Sequence, residues 1–154
     1  MEEKKHIPVQ HDGEFVLTRN GSKDFGEISP EIAREIRRQA GKIRLRVGIH
    51  EGKRGDFGEK HIERPERLQQ LRDNGYENAR DLVQDVATSF NAIFKGDGSR
   101  LILAKQGAIS NASIFLELIP VEGAEFYDVK TGLIARKNYF KNKTPLWVNP
   151  QNGV

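Results

Sequence analysis

His61 stands where a glycine-rich loop meets a predicted helix, a position that suits proton-transfer chemistry. It follows Gly58, Glu59 and Lys60, and residues 50–58 carry three glycines among mixed charges. A side chain at such a junction is held by a helix and exposed by a loop, and histidine exchanges protons near neutral pH. His61 is therefore the leading candidate for a general acid or base. A surface or helix-capping histidine is the alternative. His50 ends the preceding predicted strand and could lie near it.

A second segment, residues 127–143, supplies cations and hydroxyls. We predict catalytic roles there for Lys130, Thr131 and Tyr139. In RNA cleavage a base removes the 2′-hydroxyl proton, an acid protonates the leaving 5′-oxygen, and cations stabilise charge on the phosphoryl oxygens. A histidine with cations and hydroxyls is sufficient for such metal-free phosphodiester chemistry. For the end of this segment, the alternative is an amphipathic helix with a solvated basic face.

Lys130 and Thr131 are neighbours on the last predicted strand. Because side chains alternate along a strand, the two are expected to point to opposite faces of the sheet. Only one of them could then face a given cleft, unless sheet twist near Gly132 relaxes the alternation.

The cations are segregated along the chain of 154 residues, whose formal net charge is +3. Residues 34–54 and 127–147 are rich in lysine and arginine and contain few acids. Such segregation indicates a surface that faces a polyanion, the alternative being ordinary solvated faces. We expect substrate to be bound by basic side chains from these segments and from the chain between them. They are Lys60, Arg44, Arg46, Lys105, Arg136, Lys137 and Lys141.

Several classes of site are poorly supported. The chain has no cysteine, which excludes disulfides, thiolate metal sites and cysteine nucleophiles. No two histidines have helical ligand spacing and no carboxylate triplet stands out, so neither a metal nor a cofactor is predicted. The glycines at 52, 55 and 58 are not followed by the Lys-Ser of a phosphate-binding loop. The apolar runs are too short to span a bilayer, and a cytoplasmic protein of a bacterial or phage-infected cell is expected.

Hydrophobic periodicity predicts the elements that must position these residues. Helices are predicted over 29–40, capped by Ser29 and ended by Gly41, over 60–73, and over 78–90, capped by Asn78. Because of Pro65 the second could begin at Arg64, which would leave His61 in the preceding turn. Strands are predicted over 42–49, 91–95, 100–105, 112–119 and 125–134, followed by a short basic helix or turn over 135–142.

Helices followed by an antiparallel meander indicate an α+β fold. We expect N-terminal helices packed on one face of a twisted four- or five-stranded antiparallel sheet. Residues 29–147 would form a single domain. Residues 1–28 would be an arm that is partly disordered or adds one strand, and residues 148–154 a tail.

Six short segments, taken in order, resemble a known family. They are Phe25–Ile28, Gln39–Leu45, Phe57–Glu63, Phe90–Phe94, Phe126–Gly132 and Arg136–Tyr139. Their order is similar to that in a set of phage- and prophage-associated barnase/colicin-like endoribonuclease domains. These domains belong to the barnase–EndoU–colicin–RelE-like nuclease superfamily. The resemblance covers about residues 25–147, which would make this the nuclease-like domain.

The resemblance implies the same helix-on-sheet fold and a metal-independent cleavage of RNA that leaves a 2′,3′-cyclic phosphate. His61 falls on the family's central histidine. The family's C-terminal motif falls on Lys130, Thr131, Arg136 and Tyr139. The implied partners are RNA and either an inhibitor protein or a larger phage polyprotein, with no membrane.

One position departs from the family pattern. Relatives commonly carry a second histidine a few residues after the first, where this chain has Arg64-Pro65-Glu66-Arg67. The candidates to replace it are Arg67, Lys105 and Tyr139.

The sequence therefore predicts a toxin-like, metal-independent endoribonuclease of phage or prophage origin. The alternatives are a non-catalytic nucleic-acid-binding module and a structural or protein-interaction domain of a phage particle. Salt-dependent RNA binding would separate the last from the first two, and turnover would separate the first from the second.

Overall fold

The structure, a computed structural model, describes residues 7–120, 123 and 125–150. Within these residues the strands are β1 His11–Asp12, β2 Phe15–Val16, β3 Gly26–Ile28, β4 Gly41–Arg44, β5 Ala92–Lys95, β6 Leu101–Gln106, β7 Ser110–Ile119, β8 Phe126–Arg136 and β9 Trp147–Val148. The helices are α1 Pro30–Ile36, α2 Gly58–Ile62, α3 Pro65–Asp73 and α4 Ala79–Ser89.

In the described part of the chain, seven strands form one curled sheet, a half-barrel, in the order β3-β4-β8-β7-β6-β5-β9. Strands β1 and β2 form a separate two-stranded sheet. The large sheet is mixed, because β4 and β8 run parallel, with Arg44 opposite Asp128, while the other neighbours run antiparallel. This parallel pair brings the first basic segment beside the second.

The predicted fold class, helices packed on a four- or five-stranded antiparallel sheet, is wrong. Over the described residues the molecule is mostly sheet, with four short helices. Strands β5 to β8 do form an antiparallel meander, but β3 and β4 extend it at one edge and β9 at the other. Strands of two or three residues, such as β9 and β3, are too short to show a periodicity. Their pairing is decided by tertiary contacts.

Helix α4 packs on one face of the large sheet and forms the main core with it. The side chain of Asn78 caps α4 as predicted, accepting a hydrogen bond of 3.0 Å from the amide of Asp81. The apolar face of α4 is inaccessible to solvent at Leu82, Val83 and Val86. Full burial of such side chains stabilises the fold by roughly 1.5–3 kcal/mol each.

The described part of the predicted arm, residues 7–28, packs against this core. Val16 and Ile28 are fully buried, and the amide of Val16 donates to the carbonyl of Leu45 at 2.8 Å. Arg19 donates two hydrogen bonds, of 3.0 and 2.9 Å, to the carboxylate of Asp81 on α4. Residues 1–6 of the arm and 151–154 of the tail lie outside the described residues.

Two predicted helices have different bounds in the structure. Ser29 caps α1 as predicted, but the helix ends at Ile36 because Arg37 adopts the left-handed conformation, with φ of 58°. The segment predicted as one helix over 60–73 forms two. Helix α2 carries His61, and α3 begins at Pro65, a first helical position at which the missing N–H of proline costs nothing.

No helix in the described part of the chain is both long enough and apolar enough to cross a membrane.

Candidate functional site

Two glycines fix the loop that separates His50 from His61. Gly48 and Gly58 have φ of 70° and 80°, in the left-handed region that favours glycine. The two segments cross so closely here that a Cβ on either glycine would collide with the backbone of the other segment. Between them, Ile49 and Phe57 exchange backbone hydrogen bonds of 3.0 and 3.1 Å. The loop is therefore closed at its base, and its two ends lie side by side.

The N-terminus of α2 is attached to the end of the β4 segment. Phe57 provides no side-chain cap. Instead, the amides of Glu59 and Lys60 donate to the carbonyls of Arg46 and Val47 at 2.9 and 3.0 Å. These bonds satisfy helix amides that would otherwise lack partners, and they fix the orientation of α2 relative to the sheet.

A charged network anchors the same loop to the sheet, and we call it the Arg46–Asp128 network. Arg46 donates two hydrogen bonds, of 3.1 and 2.7 Å, to the carboxylate of Asp128, which is fully buried. The amino group of Lys130 lies 3.0 Å from the same carboxylate. Arg46 and Lys130 also lie 4.3 and 4.8 Å from the ring centroid of Phe57, within cation–π range. The hydrogen bonding to Asp128 raises the pKa of the Arg46 guanidinium above its ordinary value, although burial opposes this.

Three polar side chains converge at the same loop, and we call them the His50–Asp56–His61 cluster. Nδ1 of His50 lies 3.1 Å from Nδ1 of His61 and 3.1 Å from Oδ2 of Asp56. The same Oδ2 accepts hydrogen bonds of 3.1, 2.9 and 3.2 Å from the successive amides of residues 51–53. The carboxylate is therefore held by the backbone of the loop.

The surroundings of the cluster keep His61 neutral and Asp56 ionised near neutral pH. Burial, followed by the charge of Arg64, lowers the pKa of His61 below its ordinary value, and Asp56 only partly offsets this. For Asp56, burial acts to raise the pKa, but the hydrogen bonds from the amides of residues 51–53 outweigh it and the net pKa is lowered. A neutral imidazole beside a carboxylate is a proton acceptor.

A groove starts at the cluster and continues along the sheet face opposite α4, which we call the outer face. Its first part is a concavity of ≈ 550 Å³ lined by Lys53, Arg54, Asp56, His61, Asp97 and Arg100. Its second part, of ≈ 370 Å³, is lined by Lys95, Asp97, Arg100, Thr131, Tyr139 and Lys143, among others. Asp97 and Arg100 line both parts, so the two concavities adjoin, and together we call them the outer groove.

A β-bulge corrects the prediction that Lys130 and Thr131 point to opposite faces. On β7, Leu116 lies opposite Val129 and Phe115 lies opposite Thr131, which leaves Lys130 as an extra residue on β8. Because the extra residue interrupts the alternation, Val129 still faces the core while Lys130 and Thr131 both lie on the outer face. Thr131 lines the groove, and Lys130 lies behind it in the Arg46–Asp128 network.

Tyr139 is held at the far end of the groove by aromatic contacts. Its ring meets that of Phe140 edge-on at 4.8 Å, and Phe140 stacks on Phe94 with ring centroids 4.3 Å apart. Lys143 lies 5.3 Å from the Tyr139 ring centroid. Tyr139 remains 43% exposed, so the ring is fixed yet offers a surface to a ligand.

Other residues predicted to bind substrate lie away from the outer groove. Arg44 is paired with Asp24 at 2.8 Å and lies over the ring of Phe126. Lys105 is paired with Asp85 at 2.9 Å and lines a separate cavity with Tyr76 on the side of α4. Both cations are therefore compensated by carboxylates of this chain.

The remaining predicted cations are exposed, but none of them lines the outer groove. Arg136, Lys137 and Lys141 line a third concavity, of ≈ 620 Å³, beside Phe140. Arg136 lies five residues beyond Thr131 on β8, roughly 16 Å along an extended strand. Lys60 is exposed on α2. The structure thus brings His61, Thr131 and Tyr139 to the outer groove. It places Arg136, Lys137 and Lys141 at a separate concavity.

Sequence reasoning did not identify two residues of this site. Arg100 follows a hairpin turn, and nothing in its local pattern indicates that it lies between His61 and Thr131. Asp56 was not distinguished from the other charges of the loop, and its bonds to amides three to five residues earlier depend on the loop conformation.

Comparisons of the chain with protein-family models, with curated proteins and with solved structures found no match. The functional argument therefore starts from the geometry of the outer groove.

Proposed function

We propose that this protein is a metal-independent endoribonuclease that binds RNA in the outer groove and uses His61 for proton transfer. The observation that carries the proposal is that His61, Arg100 and the fixed ring of Tyr139 line two adjoining concavities. A phosphodiester cleavage site needs these three functions, which are proton transfer, charge stabilisation and positioning of the strand.

His50 and His61 can transfer a proton as a pair. A neutral His61 that carries its hydrogen on Nδ1 donates it to Nδ1 of His50, 3.1 Å away, and has a free lone pair on Nε2. Nε2 accepts the 2′-hydroxyl proton while the Nδ1 proton passes to His50, whose positive charge is stabilised by Asp56. The reverse transfer protonates the leaving 5′-oxygen. In this proposal His50 has the role of the second histidine found in the endoribonuclease domains that the sequence resembles.

Positive charge for the phosphoryl oxygens comes from the walls of the groove. Arg100 lies between the two parts of the groove and has a loose pairing with Glu117, at 3.6 Å, which leaves guanidinium donors for a phosphate. Lys53 and Arg54 line the groove beside His61. Lys130 acts differently from the sequence-based hypothesis: it holds Phe57 and the loop in place, rather than contacting the phosphate.

The groove suits a single RNA strand. The exposed surface of the Tyr139 ring can stack an unpaired base, and base–aromatic stacking is the common way of holding single strands. The Thr131 hydroxyl lies on the same wall and can donate to a phosphate or a 2′-hydroxyl. In this proposal the reacting phosphate binds near His61 and a flanking base binds near Tyr139.

The test is incubation of the purified protein with bulk transfer RNA in EDTA, followed by analysis of the product ends. We expect cleavage that leaves 2′,3′-cyclic phosphates. Products with 3′-hydroxyl ends would contradict the mechanism. Salt-dependent RNA binding without any cleavage would favour the non-catalytic binding module, and an absence of RNA binding would favour the structural or protein-interaction domain.

A further inference from the structure

The His50–Asp56–His61 cluster brings three possible metal-ligand atoms close together. One ring nitrogen of His50, one of His61 and a carboxylate oxygen of Asp56 all lie within 4.8 Å of one another. A carboxylate has only acceptor sites, and a neutral imidazole has one acceptor nitrogen. When both imidazoles carry their hydrogen on Nε2, all three atoms are acceptors, and either a hydrogen on one Nδ1 or a metal ion between them removes the repulsion.

The two distances that His50 makes within the cluster are close to those in the ligand set of a small transition-metal ion. In a tetrahedral zinc site with metal–ligand distances of about 2.0–2.1 Å, neighbouring ligand atoms lie about 3.3 Å apart. Here His50 Nδ1 lies 3.1 Å from its neighbour on His61 and 3.1 Å from its neighbour on Asp56. Two imidazoles and one carboxylate form a donor set typical of zinc, whereas Mg²⁺ and Ca²⁺ prefer oxygen ligands.

The cluster is assembled by the fold before any ion binds. The amides of residues 51–53 orient the Asp56 carboxylate, and the Ile49–Phe57 pairing closes the loop that carries both Asp56 and His50. Backbone support of this kind holds a ligand oxygen in position and increases metal affinity. The charge of Arg64, which also lowers the pKa of His61, opposes a divalent ion, so we expect binding of moderate strength. Three protein ligands leave one coordination position, which the groove can fill with water.

We propose that the His50–Asp56–His61 cluster binds a zinc-class transition-metal ion and that the bound ion blocks proton transfer by His61. Coordination uses the Nδ1 lone pair of His61, so the ring hydrogen of the neutral imidazole resides on Nε2. That nitrogen then has no lone pair with which to accept the 2′-hydroxyl proton. The ion also takes the lone pair of His50 that receives the shared proton. The blocking step rests on the proposed function, whereas the metal site does not.

Metal binding is tested on the full-length, metal-free protein without RNA. We expect titration with Zn²⁺ to show saturable one-to-one binding by calorimetry and to raise the thermal unfolding temperature, while Mg²⁺ does neither. Co²⁺ should give the visible absorption spectrum of a tetrahedral site. His50→Ala and Asp56→Asn should each lower Zn²⁺ affinity on the order of a hundredfold. His11→Ala is the matched control, because His11 binds Glu59 outside the cluster.

The outcomes separate the two proposals. Equal Zn²⁺ affinity in the wild type and His50→Ala, or no saturable binding by the wild type, overturns the metal site. If Asp56→Asn does not fold, His61→Gln tests the same ligand set. In the RNA cleavage assay, Zn²⁺ should inhibit the wild type and EDTA should restore it, with a protein-free control for cleavage by the ion itself. Unchanged or increased cleavage with bound Zn²⁺ overturns the blocking step. Zn²⁺ binding by a protein that cuts no RNA in EDTA refutes the proposed function and leaves the metal site intact.

Discussion

The Arg46–Asp128 network and the His50–Asp56–His61 cluster both involve the loop between Gly48 and Gly58, but the cluster is more accessible to a ligand through His50. In the network, one fully buried carboxylate serves two cations, and the side chains of Arg46 and Lys130 are 21% and 14% exposed. In the cluster, the His50 side chain is 31% exposed, and exposed Lys53 and Arg54 line the same concavity. The comparison teaches that a count of cations does not locate a polyanion site. What matters is whether carboxylates of the same chain already compensate them.

The largest effect is expected from a substitution that breaks the Arg46–Asp128 network. Asp128→Ala leaves Arg46 and Lys130 without their carboxylate, and we expect the free energy of unfolding to fall by about 3 kcal/mol, the scale for breaking a buried ion pair. Urea unfolding followed by circular dichroism measures this change. The control is Asp97→Ala, an exposed carboxylate of the groove, which should change the stability by no more than about 0.5 kcal/mol. Equal effects of the two variants would contradict a structural role for the network.

The next largest effect is expected when the proton-transfer side chain of the cluster is removed and the protein still folds. His61→Ala should lower RNA cleavage on the order of a hundredfold or more, the usual scale for a general acid–base residue. This corresponds to about 2.7 kcal/mol of transition-state stabilisation. Single-turnover cleavage in EDTA measures it, and His11→Ala should retain the wild-type rate. A wild-type rate in His61→Ala, with folding intact by thermal unfolding, excludes His61 as the proton-transfer residue.

A smaller effect is expected on RNA binding, where a cation of the outer groove can be compared with one that a carboxylate of the chain already pairs. Arg100→Ala should weaken RNA binding about fivefold and reduce the slope of log affinity against log salt by about one, as expected for the loss of one phosphate contact. Lys105→Ala should leave both quantities unchanged, because Lys105 is paired with Asp85 outside the groove. Fluorescence anisotropy with a single-stranded RNA over a salt series measures both. A larger loss in Lys105→Ala than in Arg100→Ala would place the RNA elsewhere.

The smallest effect concerns a second compensated pair, Arg19 with Asp81 on α4. Burial acts to raise the pKa of Asp81, but hydrogen bonding to Arg19 and the charges of Arg19 and Arg80 lower it overall from its ordinary value of 3.8. A carboxyl group whose pKa is lowered by folding stabilises the protein above its unfolded-state pKa, and this contribution is lost as pH falls through the folded-state pKa. The wild type should therefore lose more stability than Asp81→Asn as pH falls below about 4. Parallel pH profiles of urea unfolding for the two proteins would contradict the assignment.

The parts of the fold that depend on neighbouring residues were predictable. Asn78 and the apolar spacing from Leu82 to Val86 predicted α4, and Ser29 with Pro30 predicted the start of α1, because caps and helical faces depend on residues a few positions apart. The glycine-rich loop before His61 also followed from local pattern, but the separate short helix α2 that contains His61 did not. The proximity of His50 could be anticipated, since the two histidines are eleven residues apart along a single loop.

Only the tertiary structure determined how the strands pair and which charged side chains form ion pairs. The parallel pairing of β4 with β8 joins Arg46 to Asp128, 82 residues apart, and no local pattern encodes which carboxylate meets which cation. The bulge at Lys130 arises from the register between β7 and β8, and it reverses the face that alternation assigns to Thr131. Composition and spacing determined which side chains could act on a phosphate. Strand pairing, a long-range contact between segments that carry weak local signals, decided which of them remain available to do so.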